Sequence, residues 1–149
     1  MTNRTVTIRK DRSRSRRYAM QALYQWQVTR GSASGIVSEF LEDRDLAAAD
    51  VGHFRNLLQG IVAHCEDLDH RLEPLLDRPL GQLDPVARGI LYIGLYELLH
   101  CPDIPWRVAL AESVKLAKTF GGEDSYKYVN GVLDRAARDL GRAGPAASG

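Results

Sequence analysis

The chain has 149 residues, of which 44% are hydrophobic, and its two cysteines, Cys65 and Cys101, lie far apart without a CxxC motif. This length and composition are typical of one folded domain, and the cysteine spacing argues against a disulfide framework or a zinc finger. No apolar run approaches the roughly 20 residues that span a bilayer, and no secretory signal is recognisable, so we expect a cytoplasmic protein.

The charge is divided unevenly along the chain. The net charge is +1, but residues 1–17 contain seven Arg or Lys and one Asp, which leaves the remainder with an excess of acidic residues. We call residues 1–17 the basic arm and predict that it is flexible. A basic end on an acidic body favours a polyanionic partner for the arm, although a solvated tail would show the same composition.

Helical spacing of apolar residues recurs along the chain, and no segment shows the alternation of a strand, which predicts an all-α fold of about seven helices. Residues 18–141 form the helical domain in this prediction. After the first helix, Ser34 is a candidate cap for the second. Asp50 opens a longer apolar stripe with a possible break near His64 or at Pro74.

The clearest helix start is Asp84-Pro85, which places Asp at the N-cap and Pro in the first turn of a central helix. That helix is apolar nearly all round, so we expect it to be buried on several sides. Gly89 and Gly94 would permit close approach of a neighbouring helix.

Two further helices follow the central one. Pro105 can occupy the first turn of the sixth helix, and Gly121 is placed to end it. Asp124 or Ser125 can then cap the seventh helix. Residues 142–149 are predicted to be a disordered tail.

Signs of catalysis are absent from the sequence. It contains no HExxH, GxSxG, GxxxxGK or GxGxxG motif. Two His-Cys pairs, at residues 64–65 and 100–101, could in principle converge on a metal, but neighbouring residues in a helix point about 100° apart. We therefore predict no enzyme activity, no metal site and no cofactor.

The segment between the last two helices combines aromatic and basic side chains. Phe120, Tyr126 and Tyr128 alternate with Lys118 and Lys127, a mixture that binds unpaired bases by stacking and phosphates by charge. Helix packing for the rings and solvation for the lysines would explain the same pattern. On the pattern alone, the two interpretations are equally favoured.

Over almost its full length the chain resembles the NusB family of bacterial transcription antitermination proteins. The segments that carry the resemblance are RSRSRRYAMQALYQWQ, HFRNLLQGI, LDPVARGILYIGLYELL and DIPWRVALAESVKLAKTFGGEDSYKYVNGVLDRAA. The resemblance implies a seven-helix fold of two packed helical subdomains and no catalysis. It also implies binding of single-stranded boxA RNA together with NusE, a ribosomal protein of the small subunit, within an RNA polymerase antitermination complex.

The same resemblance assigns roles to individual positions. For RNA binding it implies Arg12, Arg14, Arg16, Gln21, Arg78, Phe120, Asp124, Ser125, Lys127 and Tyr128. For partner binding it implies Tyr24, Asp84 and Arg88. In this assignment, Asp124 accepts hydrogen bonds from base edges and so contributes to sequence recognition.

Two positions depart from the family pattern. Ala87 stands where an acidic residue is common, so a contact with NusE is weakened or is supplied by neighbours such as Asp84. Tyr92 replaces an Arg, which puts an internal ion pair in doubt.

Two other functions remain open at this point. One is a helical adaptor that binds protein and no nucleic acid, and the other is a stand-alone relative of the NusB-like domain of RNA methyltransferases. The apolar central helix would also suit a homodimer.

Overall fold

The computed structural model describes residues 3–43, 46 and 49–143. These residues form an all-helical fold in two compact units that divide between Ala63 and His64. The first unit contains α1 (Asn3–Thr29), α2 (Ala33–Asp43) and α3 (Val51–Ala63). The second contains α4 (Cys65–Leu72), α5 (Pro85–His100), α6 (Trp106–Phe120) and α7 (Ser125–Asp139), with 3₁₀ turns at Glu73–Leu75 and Leu80–Gln82. The prediction of an all-α fold with seven helices is confirmed over the described part of the chain.

Helix α1 differs from the predicted arm. Its backbone is helical from Asn3, so most of the segment assigned to a flexible arm belongs to the helix. Ser13, Ser15 and Arg16 are buried, and the Ser15 hydroxyl donates to the Asp50 carbonyl at 2.6 Å. The charge pattern did not predict this, because Arg12 and Ser15 are polar and yet contact Asp50, the residue that caps α3.

The starts of α2 and α3 follow ordinary capping chemistry. The Gly35 N–H donates to the Ser32 hydroxyl at 3.1 Å, so the cap predicted at Ser34 is wrong by two residues. The cap predicted at Asp50 is confirmed, since the His53 N–H donates to its carboxylate at 3.0 Å. Such a side chain satisfies one of the N–H groups that a helix start leaves unpaired.

The second unit is built around α5, which contacts both α6 and α7. Residues 89–98 of α5 are buried, as predicted, and the Ala87 N–H donates to the Asp84 carboxylate at 2.9 Å. A Cβ at Gly94 would lie 2.4 Å from Leu133 Cδ1 and 2.7 Å from Ser113 Oγ. Gly94 therefore permits the close packing of α6 and α7 against α5.

The end of α7 is closed by a left-handed Gly141 with φ of 73°. The Gly141 N–H donates to Arg138 O at 3.0 Å and the Arg142 N–H to Ala137 O at 2.8 Å, the two bonds of a Schellman motif. The Arg142 guanidinium also donates to the carbonyls of Leu98 and Ile104. Arg142 and Ala143 are thus ordered, whereas the rest of the predicted tail lies outside the described residues.

Candidate nucleic-acid interface

The turn between α6 and α7 is held by close packing at Gly121. A Cβ at this position would lie 2.1 Å from Ser125 Oγ and 2.7 Å from the Ala117 carbonyl oxygen. The Ser125 hydroxyl donates to that same carbonyl at 3.5 Å. A larger side chain at Gly121 would push the two helix ends apart, so this glycine fixes the geometry of the turn.

Asp124 occupies the N-cap position of α7 in a left-handed conformation, with φ of 67°. Its side chain accepts no capping hydrogen bond, and Ser125 is already the first helical residue, so the predicted side-chain cap is wrong. The Asp124 carboxylate instead lies 3.5 Å from Lys127 Nζ, and both side chains are exposed. An exposed carboxylate next to an exposed ammonium is available to a ligand with hydrogen-bond donors.

Basic groups lie over the aromatic rings next to this turn. Lys118 Nζ is 4.8 Å from the centre of the Tyr126 ring, and Lys127 Nζ is 5.9 Å from it. Phe120, the last residue of α6, is half-buried. Cation–π contacts of this length restrict both partners, so the lysines are positioned near an aromatic surface.

Arg78 joins this group from the segment between the two 3₁₀ turns. Its Nε donates to Asp77 Oδ1 at 2.7 Å and its Nη2 to Asp77 Oδ2 at 3.1 Å, while its Cζ lies 4.9 Å from the centre of the Tyr128 ring. Arg78 and Asp77 also line a shallow, open groove of about 670 Å³ with His70, Glu73, Pro74, Leu76 and Pro79. We call Asp77, Arg78 and Tyr128 the exposed triad.

The charges of the exposed triad influence one another. The hydrogen bonds from Arg78 lower the pKa of the Asp77 carboxyl below its ordinary value. Burial is the main cause that raises the pKa of the Tyr128 hydroxyl, and the nearby Asp77 also acts on it. The hydroxyl makes no hydrogen bond of normal geometry within the described part of the chain. At neutral pH the triad therefore contains a charged Arg–Asp pair and a neutral tyrosine.

A second set of the same residue types lies between α4 and α5. The Tyr92 hydroxyl donates to Asp69 Oδ1 at 2.6 Å and accepts from Arg88 Nε at 2.7 Å, and Arg88 Nη2 lies 3.4 Å from Asp69 Oδ2. The Cys65 thiol borders this set, 3.6 Å from the Tyr92 hydroxyl. We call Asp69, Arg88 and Tyr92 the inner triad.

The inner triad answers the doubt that the sequence raised at Tyr92. An ion pair is present, because Arg88 supplies the cation and the Tyr92 hydroxyl bridges the two charged groups. The guanidinium of Arg88, predicted to bind a partner, is thereby committed to an internal network. Asp84, the other residue of this region that is predicted to bind a partner, is exposed while its carboxylate caps α5.

In the first unit, the predicted residues of α1 divide into exposed and buried ones. Arg14 is exposed, Gln21 is half-buried, and Arg12 Nε lies 3.6 Å from Asp50 Oδ2. Arg16 is only 2% exposed, so it is not available to a ligand in this conformation. Tyr24 is 46% exposed.

Tyr24 has an apolar neighbour on the surface. Val28 is 59% exposed and lies one helical turn further along α1, so both side chains point to the same face. The two side chains therefore form a small apolar patch on the exposed face of α1.

Sequence reasoning missed Asp77 and Asp69. Asp77 is the immediate neighbour of Arg78 and could have been suspected as its partner. Asp69 has no such signal, since its contacts with Arg88 and Tyr92 span 19 and 23 residues.

The two His-Cys pairs do not form a metal site among the described residues. The rings of His64 and His100 do approach each other, with 4.6 Å between their centres, and Tyr96 lies beside both. No group of three or more potential metal ligands is found among residues 3–43, 46 and 49–143. Within the same residues, none of the helices combines the length and the apolar character of a membrane span.

Comparison with known proteins identifies the family. A model described as the NusB family matches residues 13–138. The transcription antitermination protein NusB of Thiobacillus denitrificans is 48% identical over 126 residues, which cover 85% of this chain and 87% of that protein. The protein of the same name from Marinomonas sp. is 50% identical over 133 residues, covering 88% of this chain and 76% of the relative.

The fold agrees with this comparison. The solved structure of T. maritima NusB matches with a TM-score of 0.77 and 33% sequence identity, covering 85% of this chain and 90% of the other. The relatives from Thiobacillus denitrificans and Marinomonas sp. carry the name of a transcription antitermination protein and not of an enzyme. The chain therefore belongs to the NusB family of transcription antitermination proteins.

Proposed function

We propose that this antitermination factor binds single-stranded boxA-type RNA together with NusE and brings both to RNA polymerase during rRNA transcription in the cytoplasm. The observation that carries the proposal is the group of cationic and aromatic side chains around the α6–α7 turn. Combinations of stacking surfaces and positive charges bind single-stranded RNA, because unpaired bases expose their faces and edges.

The residues of this surface divide by the contacts they can make. Lys127, Lys118 and Arg78 provide positive charge for phosphates, which gives affinity with little sequence information. Asp124 provides an acceptor for amino groups on base edges, a contact that distinguishes one base from another. Exposed Arg14 on α1 adds positive charge within the first unit.

Binding to NusE is supported by the pair of exposed apolar residues on α1. Tyr24 and Val28 present an apolar face on α1, whose other exposed side chains among residues 12–29, Arg14 and Thr29, are polar. Asp84 is an exposed acidic residue in the second unit. An adaptor that binds protein alone would use the same apolar pair, so RNA binding is the property to be tested.

The test is to measure the affinity for boxA RNA and for a scrambled RNA of equal length and composition, with and without NusE. We expect the wild-type protein with NusE to prefer boxA. Lys127→Ala should weaken binding of both RNAs and reduce the salt slope by about 0.7, the value for one phosphate on a single strand. The boxA preference should remain nearly constant because the lost contact carries no sequence information.

Asp124→Asn is the matched variant for sequence recognition. Asn tolerates the left-handed conformation found at this position, so the backbone of the turn should be preserved. Since an amide oxygen accepts more weakly than a carboxylate, the ratio of boxA to scrambled affinity should change. An equal shift for both RNAs would show that Asp124 acts only as a general charge, and equal wild-type affinity for both RNAs would refute boxA recognition.

A further inference from the structure

We propose that Asp77 is a positioning residue that fixes the Arg78 guanidinium over Tyr128, so that the free face of the guanidinium stacks with an unpaired base in the adjoining groove. This inference rests on the proposed RNA binding. It assigns a role to Asp77, which the family resemblance left without one, and a ligand class to the groove along residues 70–79.

The Arg78 side chain is held in one orientation by two neighbours. Both carboxylate oxygens of Asp77 are occupied by Arg78, at 2.7 and 3.1 Å, so the pair has the two-bond fork that fixes the orientation of a guanidinium. The Tyr128 ring lies under the same group at 4.9 Å. A long and partly exposed side chain is thus held by a bidentate bond at its edge and by an aromatic ring on one side.

One nitrogen and one face of the Arg78 guanidinium are not used by Asp77 or Tyr128. The fork uses Nε and Nη2, which leaves Nη1 without a contact to Asp77. The side chain is 46% exposed, although one side of it contacts Tyr128. A guanidinium plane can stack with a nucleic-acid base, and here its free side adjoins a groove open to solvent.

The negative charge of Asp77 also needs an explanation on this surface. Asp77 places a negative charge, 61% exposed, on a surface proposed to bind a polyanion, where simple repulsion would weaken binding. Asp77 favours RNA binding overall if the orientation that it gives to Arg78 adds more affinity for RNA than its negative charge removes. Glu73 lines the same groove and is exposed, so it provides a matched control for the loss of one negative charge.

The experiment compares Asp77→Asn with Glu73→Gln in the full chain with NusE, using boxA and scrambled RNA. Glu73→Gln should strengthen binding of both RNAs slightly, because it only removes repulsion. Asp77→Asn should instead weaken binding of both RNAs by about fivefold, near the low end for one base stacked on a side chain, because such stacking is tolerant of base identity. If Asp77→Asn strengthens both RNAs as Glu73→Gln does, the positioning role is wrong.

A double variant tests whether Asp77 acts through Arg78. Arg78→Lys keeps the charge but lacks the planar fork, so it should weaken binding of both RNAs as Asp77→Asn does. Adding Asp77→Asn to Arg78→Lys should then cause no further loss of affinity and should only relieve repulsion. Independent and additive losses of affinity would overturn the proposal.

A measurement without RNA separates this inference from the proposed function. The Arg78 Nε–H should give a distinct, slowly exchanging NMR signal in the wild-type protein and in Glu73→Gln, and should lose that protection in Asp77→Asn. Unchanged protection in Asp77→Asn would refute positioning even if RNA binding is found. Protection that depends on Asp77 in a protein without boxA preference would place the failure in the proposed function.

Discussion

The two triads of the second unit contain the same three residue types but differ in burial and in how the tyrosine takes part. In the inner triad, the Tyr92 hydroxyl connects Asp69 and Arg88, whose side chains are 26% and 22% exposed. In the exposed triad, Asp77 and Arg78 pair directly and Tyr128 offers its ring. The comparison shows that position, more than residue type, separates a set that holds helices together from one available to a ligand.

Burial explains the difference in energetic terms. A charged pair removed from water needs further hydrogen bonds to offset its desolvation, and the Tyr92 hydroxyl supplies both a donor and an acceptor. A pair in water has no such need, and its contribution to stability is small. The exposed pair can therefore exchange or add partners without affecting the fold.

The largest effect that tests this comparison is expected for Asp69→Ala. The substitution leaves the half-buried Arg88 without its carboxylate and Tyr92 without its acceptor. We expect the free energy of unfolding to fall by about 2–3 kcal/mol, below the value for a fully buried pair because water still reaches both groups. Urea denaturation followed by circular dichroism measures the change.

The matched control is Asp77→Ala in the exposed triad. It removes the same side chain from the same type of pair, yet the free energy of unfolding should change by less than about 0.5 kcal/mol. Equal destabilisation by the two substitutions would show that burial does not distinguish the triads.

The two tyrosines allow a finer comparison through the loss of one hydroxyl. Tyr92→Phe removes the hydrogen bonds of the hydroxyl with Asp69, Arg88 and Cys65 and leaves Arg88 and Asp69 less satisfied, so we expect a loss of about 1–2 kcal/mol. Tyr128→Phe removes a buried hydroxyl that makes no hydrogen bond in the described structure, so stability should stay constant or rise slightly. A comparable loss in Tyr128→Phe would reveal a partner for its hydroxyl in solution.

The features of the fold that depend on local chemistry were predictable from the sequence. The helix start at Asp84 and Pro85, the cap at Asp50 and the buried α5 all follow from local chemistry, and the structure confirms them. The cap at Ser34 was wrong because Ser32, two residues earlier, offers the same hydroxyl. The flexible arm was predicted from charge alone, which carries no information about the packing of Ser15 and Arg16.

Part of the candidate interface was also predictable, because some of its residues are neighbours in the sequence. Phe120, Tyr128 and Lys127 lie close together in sequence, so their spacing revealed an aromatic and basic turn. Arg78 was placed with them only by the family resemblance, since 50 residues separate it from Tyr128. The conformation of Asp124 was not predictable, because a left-handed residue depends on how two helices meet across the turn.

The smallest expected effect concerns the Cys65 thiol at the border of the inner triad. Burial is the main cause that raises the pKa of this thiol above its ordinary value of 9.0, and the nearby Asp69 carboxylate acts in the same direction. A raised pKa means less thiolate at any given pH below it, and the thiolate is the reactive form. Alkylation of Cys65 by iodoacetamide at pH 8 should therefore be slower than that of a free cysteine in a short peptide, as followed by peptide mass spectrometry.

The Tyr92 hydroxyl acts in the opposite direction through its hydrogen bond, so Tyr92→Phe should slow the reaction further, whereas Tyr128→Phe should leave the rate unchanged. Reaction of Cys65 at the free-peptide rate in the folded protein would show that solvent enters the inner triad, and the contrast in burial between the two sets would then not hold in solution.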